Sequence, residues 1–535
     1  MLLFLTTLWF VWELKYILFW LYLWQLKEYH VGRFVDHFRT HKGKKLIFSF
    51  SQTLKLVLLF FLLLKNSLFL YLYPIIVLVY SIEFLIFLRQ LFMGSFKKPA
   101  GTFKILFLSL ISFVVVILFL NWTFNFKDEF QPSRLILFDI FTPIIVSLVV
   151  LSFQPFFVTA RNNILKKARE KMVKIKLVSN LKVIAITGSY GKTSTKEFLT
   201  TILSKKFKVL STKEHQNSEI GIANCILNDL KPSHQIFIAE VGAYNKGKVK
   251  EVCKMLMPKI GIVTGINEQH LSLFGSMENL LSAEGGGELI EALPKDGMMF
   301  VNGENNYCLY LIKKSNNLPA SQEKIYTLSN QLVNSDIWTE EIEVKKDSLS
   351  FMAINKNKDL AHFDVNVLGK HNIQNLLGAI LIANELGMSF EMISVAVKDI
   401  EQKQAGMVLK QGKHGINIID SSYSANPTGV LADLDYLSVF SGKKVVVMPS
   451  LIELGDKSSK IHQNLGKKIG EVCNLAIITS RDKFEDVKKG AMDAKKIIFI
   501  ENPQEIFSAI TSFCKSGDTV LLEGRVSSNL IKLLI

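Results

Sequence analysis

A glycine-rich segment in the middle of the chain carries the residues best suited to chemistry. Residues 187–194 read Thr-Gly-Ser-Tyr-Gly-Lys-Thr-Ser, after the apolar run 183–186 and before residues 195–203, which have helical spacing. A strand, a glycine-rich turn and a helix N-terminus in this order direct backbone N–H groups at phosphate oxygens. In such a loop Lys192 reaches the terminal phosphates and the Thr193 hydroxyl ligates Mg²⁺. The sequence therefore predicts ATP and Mg²⁺ as cofactors, held by Gly188, Ser189, Tyr190, Gly191, Lys192, Thr193 and Ser194.

Other elements must bring further polar residues to this loop. The motif is shorter than the usual G-x-x-x-x-G-K-[ST], because Ile186 stands at the first glycine position; a chance turn is the alternative, and the flanking strand and helix favour a phosphate loop. Two apolar strands, 236–240 and 260–264, end at Glu240 and in the segment leading to His270. Because ligands bind beyond the carboxyl ends of strands in open α/β sheets, we expect the loop, Glu240 and His270 to converge.

The chain from residue 181 onward is long enough for two domains. Strands alternate with helices from 181 to 401, which predicts a central ATP-binding α/β domain at 181–402 with a P-loop. The alternation restarts in a C-terminal domain at 403–535, predicted to be Rossmann-like α/β. Its expected strands are 416–420, 445–448, 475–479, 497–500 and 519–522.

The first 159 residues predict an α-helical polytopic membrane region. Five apolar stretches near the ~20 residues that cross a bilayer are expected to be helices. They are 3–24, 47–65, 67–92, 105–122 and 135–154. Trp and Tyr at several ends suit an interfacial belt, and Glu13 and Lys15 argue against a cleaved signal peptide. Because only Lys65-Asn66-Ser67 separates the second and third stretches, they form either a tight hairpin or one re-entrant unit.

The loop charges predict the orientation of these spans. Basic residues crowd 27–45, 97–104 and 161–176, whereas the loop with Lys127, Asp128, Glu129 and Arg134 is balanced. Five spans place all three basic segments on one side, which the positive-inside rule makes cytoplasmic. We therefore expect a multi-pass protein of the cell membrane whose residues 160–535 lie on the cytoplasmic side, where ATP is found.

Much of the net charge of +16 lies beside these spans, so nucleic acid is not an expected partner. The segment 160–180 predicts a basic juxtamembrane helix, which either lies on anionic lipid or serves as a solvated linker. The five cysteines share no pair spacing, which indicates a reduced compartment and no metal cluster.

Several segments beyond 181 resemble motifs of one enzyme family in order and spacing. They are T-G-x-x-G-K-T-[ST] at 187–194, N-N-x-I-G at 217–221, the glutamate Glu240, T-x-I-x-x-x-H-L-x-x-F-G-S at 264–276, N-x-D at 302–304, G-x-H-N-x-x-N at 369–375, D-D-S-Y-N-A-N-P at 420–427 and E-L-G…H at 453–462. The region resembles the Mur ligases and their folylpolyglutamate synthase relatives, and is most similar to the type that adds D-alanyl-D-alanine.

This resemblance implies ATP-dependent amide formation through an acyl phosphate. Lys192, Glu240 and His270 would be catalytic. One Mg²⁺ would lie on Thr193 and Glu240, and His270 would be a ligand of a second Mg²⁺. It also implies a nucleotide site that includes Asn302, His371, Asn372 and Asp420. From the residues alone, each of three residues has an alternative reading: Glu240 as a solvated strand end, His270 as a satisfied loop histidine and Asp420 as a cap or turn residue.

The chain also departs from the family pattern. Many relatives carbamylate a lysine that this chain lacks. Counted forward from His270, its position is Glu284; counted back from Glu288, it is Gly286. We expect the Glu284 carboxylate to supply the missing anionic charge as a catalytic residue. Further departures lie in the last domain. They are Met407 for arginine, Ser421 for the second acid of D-D-S-Y, Pro449-Ser450-Leu451 for G-D-M, and Glu523-Gly524-Arg525-Val526 for K-G-S-R.

Membrane spans stand where the family has its uridine-diphosphate-sugar domain, and three hypotheses follow. The first is a ligase joining an amino acid or dipeptide to a peptidoglycan precursor, with a lipid-linked precursor as one option. The second is a ligase on another carboxylate such as a polyglutamate, and the third is a degenerate nucleotide-binding membrane scaffold. The spans would contribute to substrate choice or serve only as an anchor in the lipid bilayer.

Overall fold

The structure, a computed structural model, describes residues 2–64, 68–126, 130–213, 216–315, 317–329, 334–491 and 497–535. The chain forms two compact units, Met1–Asn162 and Asn163–Ile535. The sequence predictions on Lys65-Asn66-Ser67 and on Lys127, Asp128 and Glu129 lie outside the described residues.

The first unit is helical. Its helices are α1 Leu2–Leu26, α2 Val31–His37, α3 His41–Ile47, α4 Phe50–Leu64, α5 Phe69–Phe92, α6 Phe103–Asn125 and α7 Gln131–Ser152. Within the described part of the chain, five segments are long and apolar enough to cross a membrane: α1, α3 with α4 (His41–Leu64), α5, α6 and α7. The prediction of five apolar helices is confirmed, with the second beginning six residues before the expected start at 47.

A polar cluster lies inside this helical unit. Lys55 of α4 is 1% exposed, and its Nζ lies 2.8 Å from Glu83 Oε2 and 2.5 Å from Asp139 Oδ2. Tyr80 also donates to Asp139 Oδ2, at 2.9 Å, and the Lys55 ammonium lies over the rings of Trp12 and Tyr80. Four helices, α1, α4, α5 and α7, therefore meet around one buried ammonium group.

Helix α8, Gln154–Val178, contains the basic segment and has a buried apolar face. Leu165, Ala168, Met172 and Ile175 follow the 3–4 spacing of one helix face and belong to a hydrophobic cluster of the second unit. The Lys171 ammonium donates to the Leu227 carbonyl at 2.8 Å. Protein covers this face, whereas basic residues such as Lys166 and Lys174 remain exposed, together with apolar residues such as Leu177.

A nine-stranded sheet forms the core of the middle of the chain. Its strands are β1 Lys182–Thr187, β2 Val209–Ser211, β3 Ile236–Glu240, β4 Ile260–Val263, β5 Met298–Asn302, β6 Glu323–Tyr326, β7 Ile337–Val344, β8 Leu349–Asn355 and β9 Leu360–Val365. The order is β2-β3-β1-β4-β5-β6-β7-β8-β9, and β1 to β7 pair in parallel. Strands β1, β3 and β4 are apolar and almost wholly buried, because helices cover both faces of a parallel sheet.

Strands β7, β8 and β9 pair antiparallel, so the expected strand–helix alternation through residue 401 fails over this stretch. The buried and exposed residues of β7 and β9 partly alternate, as in strands with one face on the core.

The helices around this sheet are α9 Lys192–Leu203, α10 Glu219–Asn228, α11 Lys248–Leu256, α12 Leu271–Phe274, α13 Met277–Ser282, α14 Gly287–Ala292, α15 Asn306–Lys314, α16 Asn372–Glu385 and α17 Phe390–Ala396. Helix α16 packs on α9, the helix that follows the glycine-rich loop.

The last part of the chain forms a second sheet of six strands in the order β10-β11-β15-β12-β13-β14. Its strands are β10 Val408–Gln411, β11 Asn417–Ser421, β12 Lys444–Met448, β13 Leu475–Ile478, β14 Ile497–Phe499 and β15 Thr519–Glu523. Among the described residues of this sheet, the edge strand β10 alone pairs antiparallel. Its helices are α18 Pro427–Leu437, α19 Ser458–Val472, α20 Phe484–Gly490, α21 Pro503–Phe513 and α22 Ser528–Leu534.

Candidate nucleotide and ligation site

The glycine-rich loop connects β1 to α9, and two of its residues must be glycine. Gly188 has φ +137° and Gly191 has φ +77°, a region that residues with a side chain rarely adopt. A Cβ on Gly188 would lie 2.4 Å from Thr264 Oγ1, and one on Gly191 would lie 2.3 Å from Asn375 Oδ1. The loop is therefore pressed against β4 and α16, and its shape depends on both glycines.

Lys192 opens α9 and turns back over the loop. Its ammonium donates to the Gly188 carbonyl and to Glu284 Oε1, the latter at 3.2 Å. Glu284 is 1% exposed, and its Oε2 is buried with no hydrogen-bond partner among the described residues. The structure thus brings together two residues that lie 92 positions apart in the sequence.

Glu240, at the carboxyl end of β3, gathers three polar groups. Its Oε2 accepts from the Thr193 hydroxyl at 3.0 Å and lies 3.6 Å from Lys196 Nζ, and its Oε1 accepts from Asn217 Nδ2 at 3.1 Å. Lys196, which the sequence reasoning missed, is wholly buried, and nothing in its helical spacing indicated a link to Glu240. A hydroxyl and a carboxylate oxygen at this distance are hard oxygen donors that suit Mg²⁺.

Among the residues that the structure describes, no three His, Cys, Asp or Glu side chains form a ready metal cage. A Mg²⁺ ion needs no such cage, since it is usually held by one or two carboxylates together with substrate phosphates. The donor set of Thr193 and Glu240 fits this pattern.

His270 lies between the two sheets of this unit. Its Nδ1 is 2.6 Å from Glu453 Oε2, and its ring meets Tyr244 edge to face at 5.3 Å. A carboxylate that accepts from Nδ1–H leaves the Nε2 lone pair available for a metal ion. The sequence showed Glu453 only as part of a motif and gave no indication that it pairs with His270.

The other residues of the loop use their polar groups within the protein. The Ser189 hydroxyl donates to the Asn267 carbonyl, and the Ser194 hydroxyl donates to the Ala405 carbonyl. The Tyr190 hydroxyl accepts from Asn305 Nδ2 at 3.2 Å, and burial raises the pKa of Tyr190 to about 12. These bonds tie the loop to the segments around it.

Two predicted nucleotide-binding residues, Asn302 and Asn372, are fully buried. Asn302 donates to the Thr264 carbonyl and to Gln374 Oε1, each at 3.0 Å. Asn372 donates to the Leu368 carbonyl at 2.8 Å and accepts from Asn375 Nδ2. Both side chains hold α16 and the strand ends in place.

His371, the neighbour of Asn372, has one buried ring nitrogen without a partner. Its Nε2 lies 3.1 Å from Asn372 Nδ2 and 3.9 Å from Asp433 Oδ1. Its Nδ1 is buried and has no hydrogen-bond partner among the described residues. Burial lowers the pKa of His371.

Asp420 ends up in an ion pair on the second sheet. It accepts from Lys410 Nζ at 2.7 Å and from the Ser422 backbone N–H at 3.2 Å. Burial alone would raise the pKa of Asp420, but the hydrogen bonds from Lys410 and Ser422 outweigh it and hold the pKa below its ordinary value.

Two departures from the family pattern are neighbours in space. Ser421 and Glu523 pair in register on β11 and β15, and Ser421 Oγ donates to Asp433 Oδ2 at 2.6 Å. Burial and the Asp433 charge raise the pKa of Glu523 well above its ordinary value. The sequence reasoning treated Ser421 and Glu523 as separate losses and missed Asp433.

Direct hydrogen bonds join the two sheets at the site. Asn267 Nδ2 donates to Asn426 Oδ1 at 2.9 Å and to Thr428 Oγ1 at 3.0 Å, and the Ser272 backbone N–H donates to the Glu453 carbonyl at 3.1 Å. The segment after β4, which contains His270, is therefore bonded directly to residues that follow β11 and β12 of the second sheet.

Comparisons with known proteins agree with this architecture. The Mur ligase middle domain matches residues 186–383, and the Mur ligase glutamate ligase domain matches residues 407–526. The chain belongs to the Mur ligase family, which confirms the resemblance seen in the motifs.

Its relatives point to one branch of that family. The UDP-N-acetylmuramoyl-tripeptide–D-alanyl-D-alanine ligase of Escherichia coli is 28% identical over 54% of this chain and 61% of its own length. The ligase of the same name from Borreliella burgdorferi is 30% identical over 60% of this chain and 67% of its own length. The chain thus spans about 61% of the length of the Escherichia coli relative.

Solved structures establish the fold. The MurF crystal structure from Acinetobacter baumannii superposes with a TM-score of 0.62 at 24% identity, over 70% of this chain and 79% of that one. MurF from Thermotoga maritima in complex with ADP gives a TM-score of 0.60 at 22% identity, over 70% and 83%.

Proposed function

We propose that this protein is an ATP-dependent ligase that forms an amide bond on a peptidoglycan precursor, with a UDP-N-acetylmuramoyl-tripeptide-like carboxylate and D-alanyl-D-alanine as substrates. The observation that carries the proposal is the arrangement of Lys192, Glu284, Thr193 and Glu240 around one glycine-rich loop. The names of the relatives support the choice of substrates.

The reaction has two balanced steps. A carboxylate oxygen of the precursor attacks the γ-phosphorus of ATP and the bond from that phosphorus to the β-phosphate oxygen breaks. The products of this step are an acyl phosphate and ADP. The amine of the second substrate then attacks the acyl carbon, a proton leaves the nitrogen, and inorganic phosphate departs. Negative charge builds on phosphoryl oxygens, so the site needs fixed cations and N–H donors.

The residues of the candidate site have defined tasks in this scheme. The Lys192 ammonium would exchange the Gly188 carbonyl for phosphate oxygens, and the N-terminal N–H groups of α9 would face the same oxygens. Thr193 and Glu240 would hold Mg²⁺, which when bound supplies positive charge beside the phosphates. His270, held by Glu453, would present Nε2 to a second ion, and the buried Glu284 Oε2 would face the same region.

The nucleotide base would lie near α16, where the buried His371 Nδ1 has no hydrogen-bond partner among the described residues. Asn302, Asn372 and Asp420 would support this end through the hydrogen bonds that fix their surroundings.

We further propose a cell-membrane protein whose five apolar helices cross the bilayer and whose ligase domains lie on the cytoplasmic side. The basic loops support this orientation. A lipid-linked precursor is the alternative acceptor, since the helical region stands where the family has its nucleotide-sugar domain.

The test uses full-length protein in nanodiscs with ATP, Mg²⁺, D-alanyl-D-alanine and UDP-N-acetylmuramoyl-tripeptide. We expect phosphate release, and mass spectrometry should show a product with one new amide bond. Activity with polyglutamate alone would replace the substrate assignment. ATP binding without phosphate release from any acceptor would support a nucleotide-binding scaffold and overturn the ligase proposal.

A further inference from the structure

A basic groove lies against α8, away from the ligation site. It encloses about 530 Å³. Its lining residues include five cations and one acid: Arg169, Lys176, Lys250, Lys254, Lys259 and Glu291. We propose that this groove binds the phosphate group of an anionic ligand that also carries an apolar portion, with an anionic phospholipid of the membrane as the favoured source.

The groove has an excess of positive charge that the protein does not neutralise. Glu291 lies 3.6 Å from Lys250, and Lys259 pairs with the exposed Asp296 at the rim. Within the described ranges, Arg169 and Lys254 have no acidic partner. A phosphate group would therefore meet cations whose charge is still available.

Packing holds these cations together against their mutual repulsion. Lys250 and Lys254 stand four residues apart on α11, a spacing at which like charges repel. Lys176 of α8 is fixed by its hydrogen bond to the Met257 carbonyl, and burial together with the charge of Lys259 lowers the pKa of Lys176. Bound phosphate would relieve this repulsion.

The rest of the lining is apolar, from Cys253, Met257, Pro258, Ala292 and Pro294. A small inorganic ion would leave this apolar surface exposed to water, whereas the glycerol and first acyl carbons of a phospholipid would cover it. The cavity volume lies within the range of small-molecule sites.

The position of the groove separates it from the nucleotide site. Lys259 directly precedes β4, at the amino ends of the parallel strands, whereas the glycine-rich loop follows β1 at their carboxyl ends. The two sites therefore lie at opposite ends of the parallel strands of one sheet. Arg169 stands seventeen residues after Ser152, the last residue of the fifth apolar helix, which favours a membrane lipid as the source.

The test is amine acetylation of the full-length protein, read by mass spectrometry at Lys250 and Lys254. Nanodiscs of phosphatidylcholine are compared with nanodiscs that contain phosphatidylglycerol, and soluble pyrophosphate is added in a third arm. We expect phosphatidylglycerol to slow acetylation about fivefold or more, the factor that one lysine near an anionic lipid surface supplies. Lys205 and Lys403, exposed lysines outside the groove, serve as internal controls.

A double charge reversal, Arg169→Glu with Lys254→Glu, should abolish the protection of Lys250, whereas Lys205→Glu with Lys403→Glu changes the net charge equally and should leave it intact. Protection by pyrophosphate but not by phosphatidylglycerol would keep the phosphate site and make its ligand soluble. Equal acetylation in all three arms, or equal protection of the control lysines, would overturn the proposal. Because phosphate release is not measured, the result is independent of the proposed ligase activity.

Discussion

Each unit of this chain contains a lysine that pairs with carboxylate groups. The two lysines differ in whether the polar groups around them all have partners within the protein. Lys55 is 1% exposed and contacts Glu83, Asp139 and two aromatic rings. The side chain of Lys192 is 14% exposed and contacts one carbonyl and one carboxylate, whose second oxygen is free of protein partners among the described residues. A saturated cluster fixes a structure, whereas an incomplete one is suited to receive a ligand.

The largest effect should come from breaking the saturated cluster. Lys55→Met leaves two carboxylates buried without their cation, so we expect the helical unit to lose about 3–5 kcal/mol of unfolding free energy. Five of the six tryptophans lie in this unit, so tryptophan fluorescence during denaturation of the full-length protein reports on it. Lys44→Met, at an exposed lysine of α3, is the matched control and should change little. An unchanged midpoint in Lys55→Met would refute the structural role.

The incomplete cluster should respond in the opposite way. Lys192→Ala removes the cation that faces the developing phosphoryl charge, so phosphate release should fall about 10²–10³-fold. The unfolding free energy should fall less than in Lys55→Met, because only one buried carboxylate, Glu284, loses its cation. A loss of folding together with activity would contradict the distinction between the two clusters.

The Ser421–Glu523 pair offers an intermediate case. Ser421→Asp would place a third carboxyl beside Asp433 and Glu523, and should cost about 2–3 kcal/mol of stability. Adding Glu523→Lys supplies a cation at the paired position and should restore most of the loss. Equal destabilisation in the single and double variants would show that the two departures are not coupled. Chemical denaturation of the full-length protein measures both.

Glu284→Gln tests how much the negative charge of Glu284 contributes at the incomplete cluster around Lys192. The amide keeps the size of the side chain and can still accept from Lys192, but it cannot neutralise a second Mg²⁺, so we expect about tenfold slower phosphate release and a higher Mg²⁺ requirement. Added bicarbonate should not change the parent activity, because no carbamylated lysine is needed. Glu288→Gln is the control: Glu288 accepts from the Gly247 and Lys250 backbone N–H groups at the start of α11, and its loss should affect stability alone.

The smallest effect is a pH dependence of stability. Burial lowers the pKa of His371 and of His462, so both are neutral in the folded protein at pH values where the unfolded chain begins to bind protons. Their contribution is complete above the ordinary pKa of 6.5 and is lost as the pH falls from there towards the lowered values. Thermal unfolding at several pH values below 7 should show this decline, and His462→Gln should make it shallower. A parallel decline in the variant would assign the effect to other groups.

The sequence predicted those parts of the molecule in which one local pattern determines the outcome. Continuous apolar runs identified the five long helices and strands β1, β3 and β4, and the glycine-rich motif identified the loop whose two glycines have positive φ. Local patterns could not reveal contacts made across the fold. Three of these contacts join residues that are distant in the sequence. They are the pairing of His270 with Glu453, the approach of the buried Lys196 to Glu240, and the register of Ser421 with Glu523.

The partly exposed strands β7 and β9 also escaped the prediction, since their polar faces obscured the apolar pattern. The same limit applied to α8, where the sequence analysis relied on the basic residues, whereas four buried apolar residues determine where the helix packs.

That packing determines where a fragment of the second unit has to begin. A truncation starting near residue 178 would remove Leu165, Ala168, Met172 and Ile175, and would expose the apolar surface that they cover on the second unit. Such a fragment is expected to aggregate for reasons unrelated to catalysis, so its inactivity would say nothing about the role of the five apolar helices. A fragment intended for crystallisation or inhibitor screening should begin at Asn163 or earlier, so that the linker helix is retained as part of the domain's own core.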